Sequence, residues 1–167
     1  PNENGEVALD AACMHGPTHN SGAVAAIENI LHPSEVARLV MERTDHCLLV
    51  GRGAYQFARM HGHPHTDLLT EKARQRWLKW KEELSDIDDR LAPPRPRTDE
   101  PKHGSLSPDD GKRTAGGRGW ERDYGTVHCS GRSREGELAC TTTTSGLAFK
   151  IPGRIGDSPI IGAGLYC

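Results

Sequence analysis

Thr126, Thr144, Arg154 and Asp157 supply two hydroxyls, one cation and one carboxylate in the C-terminal part of the chain. Together these groups could cleave an amide beside an amino-acid head group. Thr126 follows Gly125, and a break between the two would give Thr126 a free α-amine. An α-amine has a pKa of about 8, so it can act as a base for the threonine's own hydroxyl. Gly125 suits a scissile position because glycine tolerates the backbone strain that an N→O acyl shift needs.

Arg154 and Asp157 lie in a loop rich in glycine and proline, residues 152–159. Arginine offers a planar fork of donors to a carboxylate, and aspartate accepts hydrogen bonds from an ammonium group. The pair could therefore hold the zwitterionic head of an amino acid. The same spacing also fits an ion pair between the two side chains that stabilises the loop.

Two predicted strands, at 126–130 and 137–143, would bring the two hydroxyls together. Residues 133–136 between them have the turn chemistry of a hairpin. Thr126 then starts one strand, and Thr144, the end of the threonine run, directly follows the other. Thr141, Thr142 and Thr143 are interpreted as ordinary strand residues, since threonine favours strands.

The N-terminal part of the chain alternates between predicted strands and helices. The predicted elements are a half-buried strand at 6–11, a buried strand at 46–50 ended by Gly51 and Gly53, and helices at 21–31, 33–43, 54–60 and 69–90. In the last helix, Trp77, Trp80, Leu84 and Ile87 recur at helical spacing and are expected to face the core. This alternation, followed by the hairpin, predicts a layered α+β architecture.

Residues 92–124 are rich in proline, glycine and charge and show no apolar periodicity, which predicts a flexible linker. A stretch of this length does not fit inside a compact domain, and a long tail directly before Thr126 is what one expects if the chain is cut there. The predicted organisation is a body at 1–91, a linker at 92–125 that ends at the cleavage site, and a final segment at 126–167.

The chain has 167 residues and a formal net charge of -2, so no overall basic field favours nucleic acid or an anionic membrane as a partner. No apolar stretch approaches the roughly 18 residues of a membrane-spanning helix, and no signal-peptide core is visible. Because the first residue is Pro1, a processed or partial chain is expected. The five cysteines are odd in number and widely spaced, which favours reduced, mostly buried thiols.

His61, His63 and His65 alternate along the chain, and on a strand they would share one face and could hold zinc. Gly62 and Pro64 favour a loop instead, so a surface tract is the preferred interpretation. Metal binding at these three histidines stays open.

The chain resembles the N-terminal-nucleophile asparaginases, most closely the glycosylasparaginase branch. The resemblance covers nearly the whole chain apart from the linker. The stretches that carry it are 1–5, 9–11, 14–16, 22–26, 36–44, 48–51, 69–71, 77–82, 125–127 and 142–164.

The resemblance implies a four-layer αββα sandwich, made as a precursor that cuts itself between Gly125 and Thr126. It implies that Thr126 is the nucleophile, that Thr144 tunes it, and that Arg154 and Asp157 bind the substrate's α-carboxylate and α-amine. The substrate would be a small molecule, either an asparagine-linked sugar or a β-aspartyl compound, and the products aspartate and an amine. No cofactor or metal is implied. The α and β chains, both from one precursor, would assemble as a dimer of αβ units.

Several alternatives stay open. Gly125 before the nucleophile is typical of the isoaspartyl peptidase/L-asparaginase branch, whereas the sequence around Trp77 and Trp80 favours glycosylasparaginase. The fold is expected to be incomplete in this chain, because the family's N-terminal strand and its oxyanion-hole Thr-Gly segment have no counterpart. A truncated, inactive fragment or paralogue is therefore a third hypothesis. The natural leaving group and the compartment are left open.

Overall fold

A computed structural model describes residues 1–84 and 125–167 of the chain. The predicted linker at 92–124 and the end of the predicted helix, including Ile87, lie outside the described residues. The described elements are β1 (Ala8–His15), β2 (Asn20–Glu28), α1 (Pro33–Arg43), β3 (Leu48–Val50), α2 (Gly51–Met60), α3 (Glu71–Leu84), β4 (Val127–Arg132) and β5 (Leu138–Thr144).

The five strands form one mixed sheet in the order β3-β2-β1-β5-β4. β1 pairs antiparallel with both β2 and β5, β5 pairs antiparallel with β4, and β2 pairs parallel with β3. The predicted α+β class is confirmed. The four-layer sandwich and the division into 1–91, 92–125 and 126–167 stay predictions.

Side chains of β1 point alternately into two separate clusters, because successive side chains of a strand point to opposite faces. Ala11 and Cys13 join an apolar cluster that α1 and α2 cover. Ala12 and Met14 join a second cluster with Cys140 and residues near the end of the chain, such as Leu165. β1 is thus buried on both faces, which corrects the prediction of a half-buried strand at 6–11.

The predicted helix at 21–31 is wrong, because this segment forms β2. β2 lies between β1 and β3 and is buried from Gly22 to Ala25. A strand buried on both faces has no alternation of polar and apolar residues, so its run of small apolar residues looked like a closely packed helix. α1 packs closely on Gly22, because a Cβ there would lie 2.5 Å from the backbone nitrogen of Met41.

The short strand β3 is also less buried than predicted. It covers only Leu48–Val50, and both end residues are exposed. Among the described strands, β3 is the last in the order and pairs with β2 alone, so one of its edges has no neighbour within residues 1–84 and 125–167. Gly51, predicted to end this strand, instead begins α2, three residues before the predicted start.

α3 begins at Glu71, close to the predicted start, and two tryptophans anchor it. Trp77 donates a hydrogen bond from Nε1 to the carbonyl oxygen of Glu3, at 3.0 Å. The ring of Trp80 stacks on Phe149, with ring centroids 4.6 Å apart. Both tryptophans are half-buried, so the stripe attaches α3 to two loops and is not enclosed in the core.

None of the described helices has the length and apolar character that crossing a bilayer requires.

Candidate active site

The hairpin of β4 and β5 sets Thr126 opposite Thr144. Val127 pairs with Thr143, so the residue before Val127 meets the residue after Thr143. The Thr126 hydroxyl donates a hydrogen bond to the Thr144 hydroxyl oxygen at 3.0 Å. That oxygen also accepts from the backbone N–H of Gly146 at 2.9 Å. Thr144 is buried while Thr126 is exposed, so an oriented hydroxyl is presented at the surface.

These hydroxyls open into a cavity of about 150 Å³, which we call the hydroxyl cavity. Its walls contain every residue predicted for the site. The lining residues are Gly125, Thr126, Thr144, Gly146, Leu147, Arg154, Gly156, Asp157 and Ser158. One small cavity therefore gathers the predicted cleavage bond, both hydroxyls, the cation and the carboxylate.

Gly125 does not take the left-handed backbone conformation that only glycine adopts easily. A Cβ built there would meet one atom within 4 Å, the hydroxyl oxygen of Ser145, at 3.4 Å. The bond before Thr126 is thus accessible at the surface.

Arg154 and Asp157 do not pair with each other. Both residues are exposed, and neither side chain forms an ion pair with any residue in 1–84 or 125–167. Their positions come from main-chain bonds, from Arg154 N–H to the Ile151 carbonyl at 3.0 Å and from Ile160 N–H to the Asp157 carbonyl at 2.8 Å. The ion-pair alternative is wrong for the described part of the chain. Both charged groups are thus available to a ligand.

A buried lysine lies beside the cavity, and the sequence interpretation did not include it. Lys150 donates from Nζ to the carbonyl oxygen of Ser145 at 3.2 Å. The pKa of the Lys150 ammonium group is lowered, mainly because the group is buried. The Asp10 carboxylate partly opposes this effect, and the Arg154 guanidinium adds to it. Lys150 and Arg154 both approach Gly146, where a Cβ would lie 3.1 Å from Lys150 Nζ and 3.4 Å from Arg154 Nη1. Positive charge is thus concentrated at one wall of the hydroxyl cavity.

Asp10 of β1 is a buried carboxylate close to the site. Its backbone lies opposite that of Thr144 in the sheet. Its Oδ1 accepts from the Ala26 N–H at 2.8 Å, and its Oδ2 has no partner among the described residues. The available sequence signals were a charged residue within the apolar run of β1 and a lysine between Phe149 and Ile151. Neither signal distinguishes a site residue from a surface one.

The other threonines of the run bind outside the cavity. The hydroxyls of Thr141 and Thr143 donate to the carbonyls of Ala12 and Asp10 on β1, at 2.9 Å and 3.2 Å. The Thr142 hydroxyl bonds to Nδ1 of His128 at 2.6 Å. These contacts fit their interpretation as strand residues that hold the sheet together.

The three alternating histidines have separate partners. His61 bonds to the Phe57 carbonyl at 2.9 Å, His65 bonds to the Tyr55 hydroxyl at 3.0 Å, and His63 lies 4.0 Å from the Glu35 carboxylate. Across the described ranges, no three His, Cys, Asp or Glu side chains are grouped so that they could hold a metal ion.

All five cysteines are free thiols, but Cys47 and Cys129 are exposed, so the expectation of mostly buried thiols is wrong for these two.

A second and larger cavity, of about 310 Å³, adjoins the hydroxyl cavity. We call it the basic cavity, after Lys72 and Arg76 in its wall. Its lining residues are Pro1, Thr70, Lys72, Ala73, Arg76, Ser145, Gly146, Leu147, Ala148 and Phe149. The two cavities share Gly146 and Leu147, so the turn after β5 forms the wall between them.

Comparison with known proteins gives a consistent result along the chain. The family profile Asparaginase_2, described as asparaginase, matches residues 1–167. An isoaspartyl peptidase/L-asparaginase from Xenopus laevis is 37% identical over 99% of this chain and 45% of its own length. A plant-type L-asparaginase from Pyrococcus abyssi is 39% identical over 98% of the chain and 48% of its own length.

A protein named for the other branch is similar to nearly the same degree. The N(4)-(β-N-acetylglucosaminyl)-L-asparaginase of Elizabethkingia miricola is 35% identical over 99% of this chain and 40% of its own length. The chain spans about half the length of the curated relatives it matches, or somewhat less. The sequence resemblance to this family is confirmed, and the small spread of identities leaves the choice of branch open.

Proposed function

The chain belongs to the asparaginase family Asparaginase_2, and from this premise we propose that it cuts itself before Thr126 and then hydrolyses side-chain amides of β-linked aspartate. One observation carries the proposal. The Thr126 hydroxyl, hydrogen-bonded to Thr144 at 3.0 Å, shares one cavity with Arg154 and Asp157, neither of which forms an ion pair with another described residue. A nucleophile and both halves of an amino-acid clamp are thus present together.

In the self-cleavage step, the Thr126 hydroxyl oxygen adds to the carbonyl carbon of Gly125. The carbon–nitrogen bond between Gly125 and Thr126 breaks, and the hydroxyl proton moves to the departing nitrogen, which becomes the free α-amine. Water then cleaves the resulting ester, leaving a carboxylate on Gly125 and restoring the Thr126 hydroxyl. The exposed position of Gly125 and Thr126 gives water access to this bond.

In the hydrolysis step, the new α-amine takes the proton of the Thr126 hydroxyl as the oxygen attacks the substrate's side-chain carbonyl carbon. The amide carbon–nitrogen bond breaks, the proton goes to the leaving nitrogen, and a β-aspartyl ester of Thr126 remains. Water cleaves that ester and releases aspartate. Arg154 would bind the substrate's α-carboxylate through its planar fork of donors, and Asp157 its α-ammonium group.

Two leaving groups fit this chemistry. One is the sugar amine of an N4-glycosylated asparagine, the substrate class in the name of the Elizabethkingia miricola relative. The other is ammonia or the amine of a β-aspartyl peptide, as the names of the Xenopus laevis and Pyrococcus abyssi relatives indicate. The head-group clamp and the nucleophile are the same for both, so the hydroxyl cavity alone does not distinguish them.

The processed chains would stay associated through the sheet. β1 pairs with β5 from Asp10 opposite Thr144 to His15 opposite Ala139, so one ladder would join the two products of cleavage. We further propose that two such αβ units form a dimer. Light scattering of the processed protein would test this, since an αβ unit alone would contradict it.

The test of the proposed function uses the full reading frame that carries these residues. Intact mass and N-terminal sequencing should show a fragment that begins at Thr126 in the wild type and none in Thr126→Ala. Thr126→Ser keeps a hydroxyl and should still cleave. Thr141→Ala is the matched control, because its hydroxyl bonds to the main chain of β1, and it should cleave like the wild type.

Release of aspartate from L-asparagine, GlcNAc-asparagine and a β-aspartyl dipeptide should follow cleavage. A wild type that stays whole would contradict the proposal and favour the inactive fragment or paralogue. A protein that cleaves itself but releases no aspartate from any of the three would limit the proposal to self-processing.

A further inference from the structure

Two opposite charges are buried beside the hydroxyl cavity, and the proposed reaction uses neither of them. Asp10 is completely buried, and Lys150 is only 7% exposed. Taking a charged group out of water is costly, so buried charges are usually paired or have a function. The burial of these two groups next to a candidate nucleophile therefore calls for an explanation beyond packing.

Lys150 is linked to Thr126 through the turn that follows β5. Its Nζ donates a hydrogen bond to the Ser145 carbonyl oxygen at 3.2 Å. The ammonium group also lies against the next residue, because a Cβ on Gly146 would be 3.1 Å from Nζ. The Gly146 N–H donates to the Thr144 hydroxyl oxygen at 2.9 Å, and that oxygen accepts from Thr126 at 3.0 Å. A displacement of Lys150 would thus reach the nucleophile in two further steps.

The turn after β5 depends on contacts from outside to keep its shape. β5 ends at Thr144, so Ser145 and Gly146 lie beyond the ladder of the sheet. Gly146 has a φ of +69°, in the left-handed region that favours glycine, and glycine has wide backbone freedom. The bond from Lys150 to the Ser145 carbonyl is therefore a constraint on the position of the Gly146 N–H.

Asp10 supplies a counter-charge for Lys150. It lies opposite Thr144 in the pairing of β1 with β5, and side chains directly opposite each other share a face of the sheet. Its Oδ1 accepts from the Ala26 N–H, while its Oδ2 has no hydrogen-bond partner within residues 1–84 and 125–167. Burial lowers the pKa of the Lys150 ammonium group, and the Asp10 carboxylate partly opposes this. The two form no direct ion pair in those ranges, so Asp10 acts on Lys150 as a nearby charge.

We propose that Lys150 and Asp10 are positioning residues for the Thr126 hydroxyl. The Lys150 ammonium group fixes the turn after β5, and the Gly146 N–H then keeps the Thr144 hydroxyl oxygen in place. Asp10 keeps Lys150 charged, and a charged donor binds a carbonyl more strongly than a neutral one. Neither residue touches the reacting atoms, so each acts through its neighbours. This inference rests on the proposed function, because it requires Thr126 to be the nucleophile.

Variants that remove one charge or both separate this role from a purely structural one. Lys150→Met keeps the length of the side chain but leaves Asp10 buried alone, so the melting temperature should fall. The rate constant of self-cleavage should also fall by about tenfold, because the turn loses its donor and small misplacements of reacting groups are costly. Asp10→Asn alone should lower the rate constant by about threefold.

The double variant, Lys150→Met with Asp10→Asn, is the decisive one. A buried charge without its partner costs more stability than no charge at all, so the melting temperature should recover most of the loss seen in Lys150→Met. The rate constant of self-cleavage should stay about tenfold below the wild type, because the Ser145 carbonyl still lacks its donor. Stability and rate would thus respond differently to the second substitution.

Mass-spectrometric time courses of the full reading frame give the rate constant and the final extent of self-cleavage separately. A misfolded fraction lowers the final extent and leaves the rate constant unchanged. Lys72→Met is the matched control, since it makes the same substitution at an exposed lysine outside the hydroxyl cavity. It should keep the wild-type rate constant and melting temperature.

A wild-type rate constant in Lys150→Met would overturn the inference while leaving the proposed function intact. Recovery of the rate constant together with the melting temperature in the double variant would overturn it in the same way, because the two charges would then act only on stability. If the wild type itself did not cleave before Thr126, the proposed function would fail, and this inference with it.

Discussion

The part of the chain before residue 61 and the part after residue 124 contribute strands to one sheet, yet their side chains differ in how deeply they are buried. From β1 to α2, small and branched apolar residues such as Ala11, Val24 and Val36 are completely buried. In the second part, every residue of β4 is exposed. The Thr126 hydroxyl and the charged ends of Arg154 and Asp157 likewise face a surface cavity.

This contrast in burial explains how the candidate site is positioned. Strand pairing sets Thr126 opposite Thr144, and main-chain hydrogen bonds hold the loop that carries Arg154 and Asp157. The first part supplies the apolar packing, and the second supplies reactive groups whose side chains contribute little to it. Substitutions of buried residues in the first part should therefore change stability, and substitutions of the cavity residues Thr126, Arg154 and Asp157 in the second should change chemistry.

The largest effect is expected at Gly22 in the packed part. Gly22→Ala would place a Cβ 2.5 Å from the backbone nitrogen of Met41, so α1 must move away from the sheet. We expect the free energy of unfolding to fall by about 3 kcal/mol, the upper end for overpacking a core. Urea unfolding measures it.

Gly53→Ala is the matched control for Gly22→Ala. Gly53 lies inside α2, and a Cβ there would meet open space. Alanine in a helix interior is favoured over glycine by roughly 0.5–1 kcal/mol, so this variant should be slightly more stable than the wild type. Equal stability of Gly22→Ala and the wild type would contradict the close packing of α1 on β2.

The next effect concerns Arg154 in the exposed part. Arg154→Ala removes charge-assisted bonds to the substrate, and we expect kcat/KM to fall by about 100-fold, equivalent to about 2.7 kcal/mol. The melting temperature should stay unchanged, because Arg154 is exposed and forms no ion pair with a described residue. Arg134→Ala, an exposed arginine of the hairpin turn, should change neither quantity. A clear drop in the melting temperature of Arg154→Ala would show that the two parts are not separable in this way.

A smaller effect separates two threonines of the same strand. Thr144→Val removes the acceptor for the Thr126 hydroxyl and for the Gly146 N–H, and we expect self-cleavage to slow by about tenfold. Thr141→Val removes a bond to the Ala12 carbonyl and should cost about 1 kcal/mol of unfolding free energy without slowing cleavage. Time courses by mass spectrometry, with unfolding curves beside them, measure both. Equal cleavage rates would argue against a role for Thr144.

The smallest effect is a pH dependence from the packed part. Burial raises the pKa of the Cys13 thiol from 9.0 to about 11. Between those values the unfolded chain loses this proton and the folded chain keeps it, so unfolding becomes easier. The contribution of Cys13 to stability should be fully present below pH 9 and be lost as the pH rises towards 11. Unfolding curves across this range under reducing conditions should fall more steeply for the wild type than for Cys13→Ala, and parallel curves would contradict the prediction.

The sequence predicted much of the second part and less of the first. The hairpin was predictable because Gly136 and its neighbours have turn chemistry and threonine favours strands. β2 was not predictable, because a strand buried on both faces shows no alternation of polar and apolar residues. Its glycine and alanine residues indicate close packing, but they do not indicate which element packs there. The edge position of β3 depends on its pairing with β2, which no local pattern contains.

For the site, the sequence identified those groups whose chemistry follows from residue type and position along the chain. A threonine after a glycine, and an arginine and an aspartate in one loop, suggested a nucleophile and a clamp. Lys150 was missed, because its significance depends on its burial and on its nearness to Asp10 of β1. Those are distances between segments far apart in the chain, and a single sequence does not record them.

The pairing of β1 with β5 has a consequence for refolding. Before cleavage, both strands belong to one molecule, so the sheet can reform in a first-order reaction that does not depend on protein concentration. After a cut before Thr126, the same ladder would join two separate polypeptides, and its recovery would need an encounter between them. Dilution should therefore leave renaturation of the uncut precursor unaffected but slow or abolish it for the processed protein, which would make maturation in effect a one-way step.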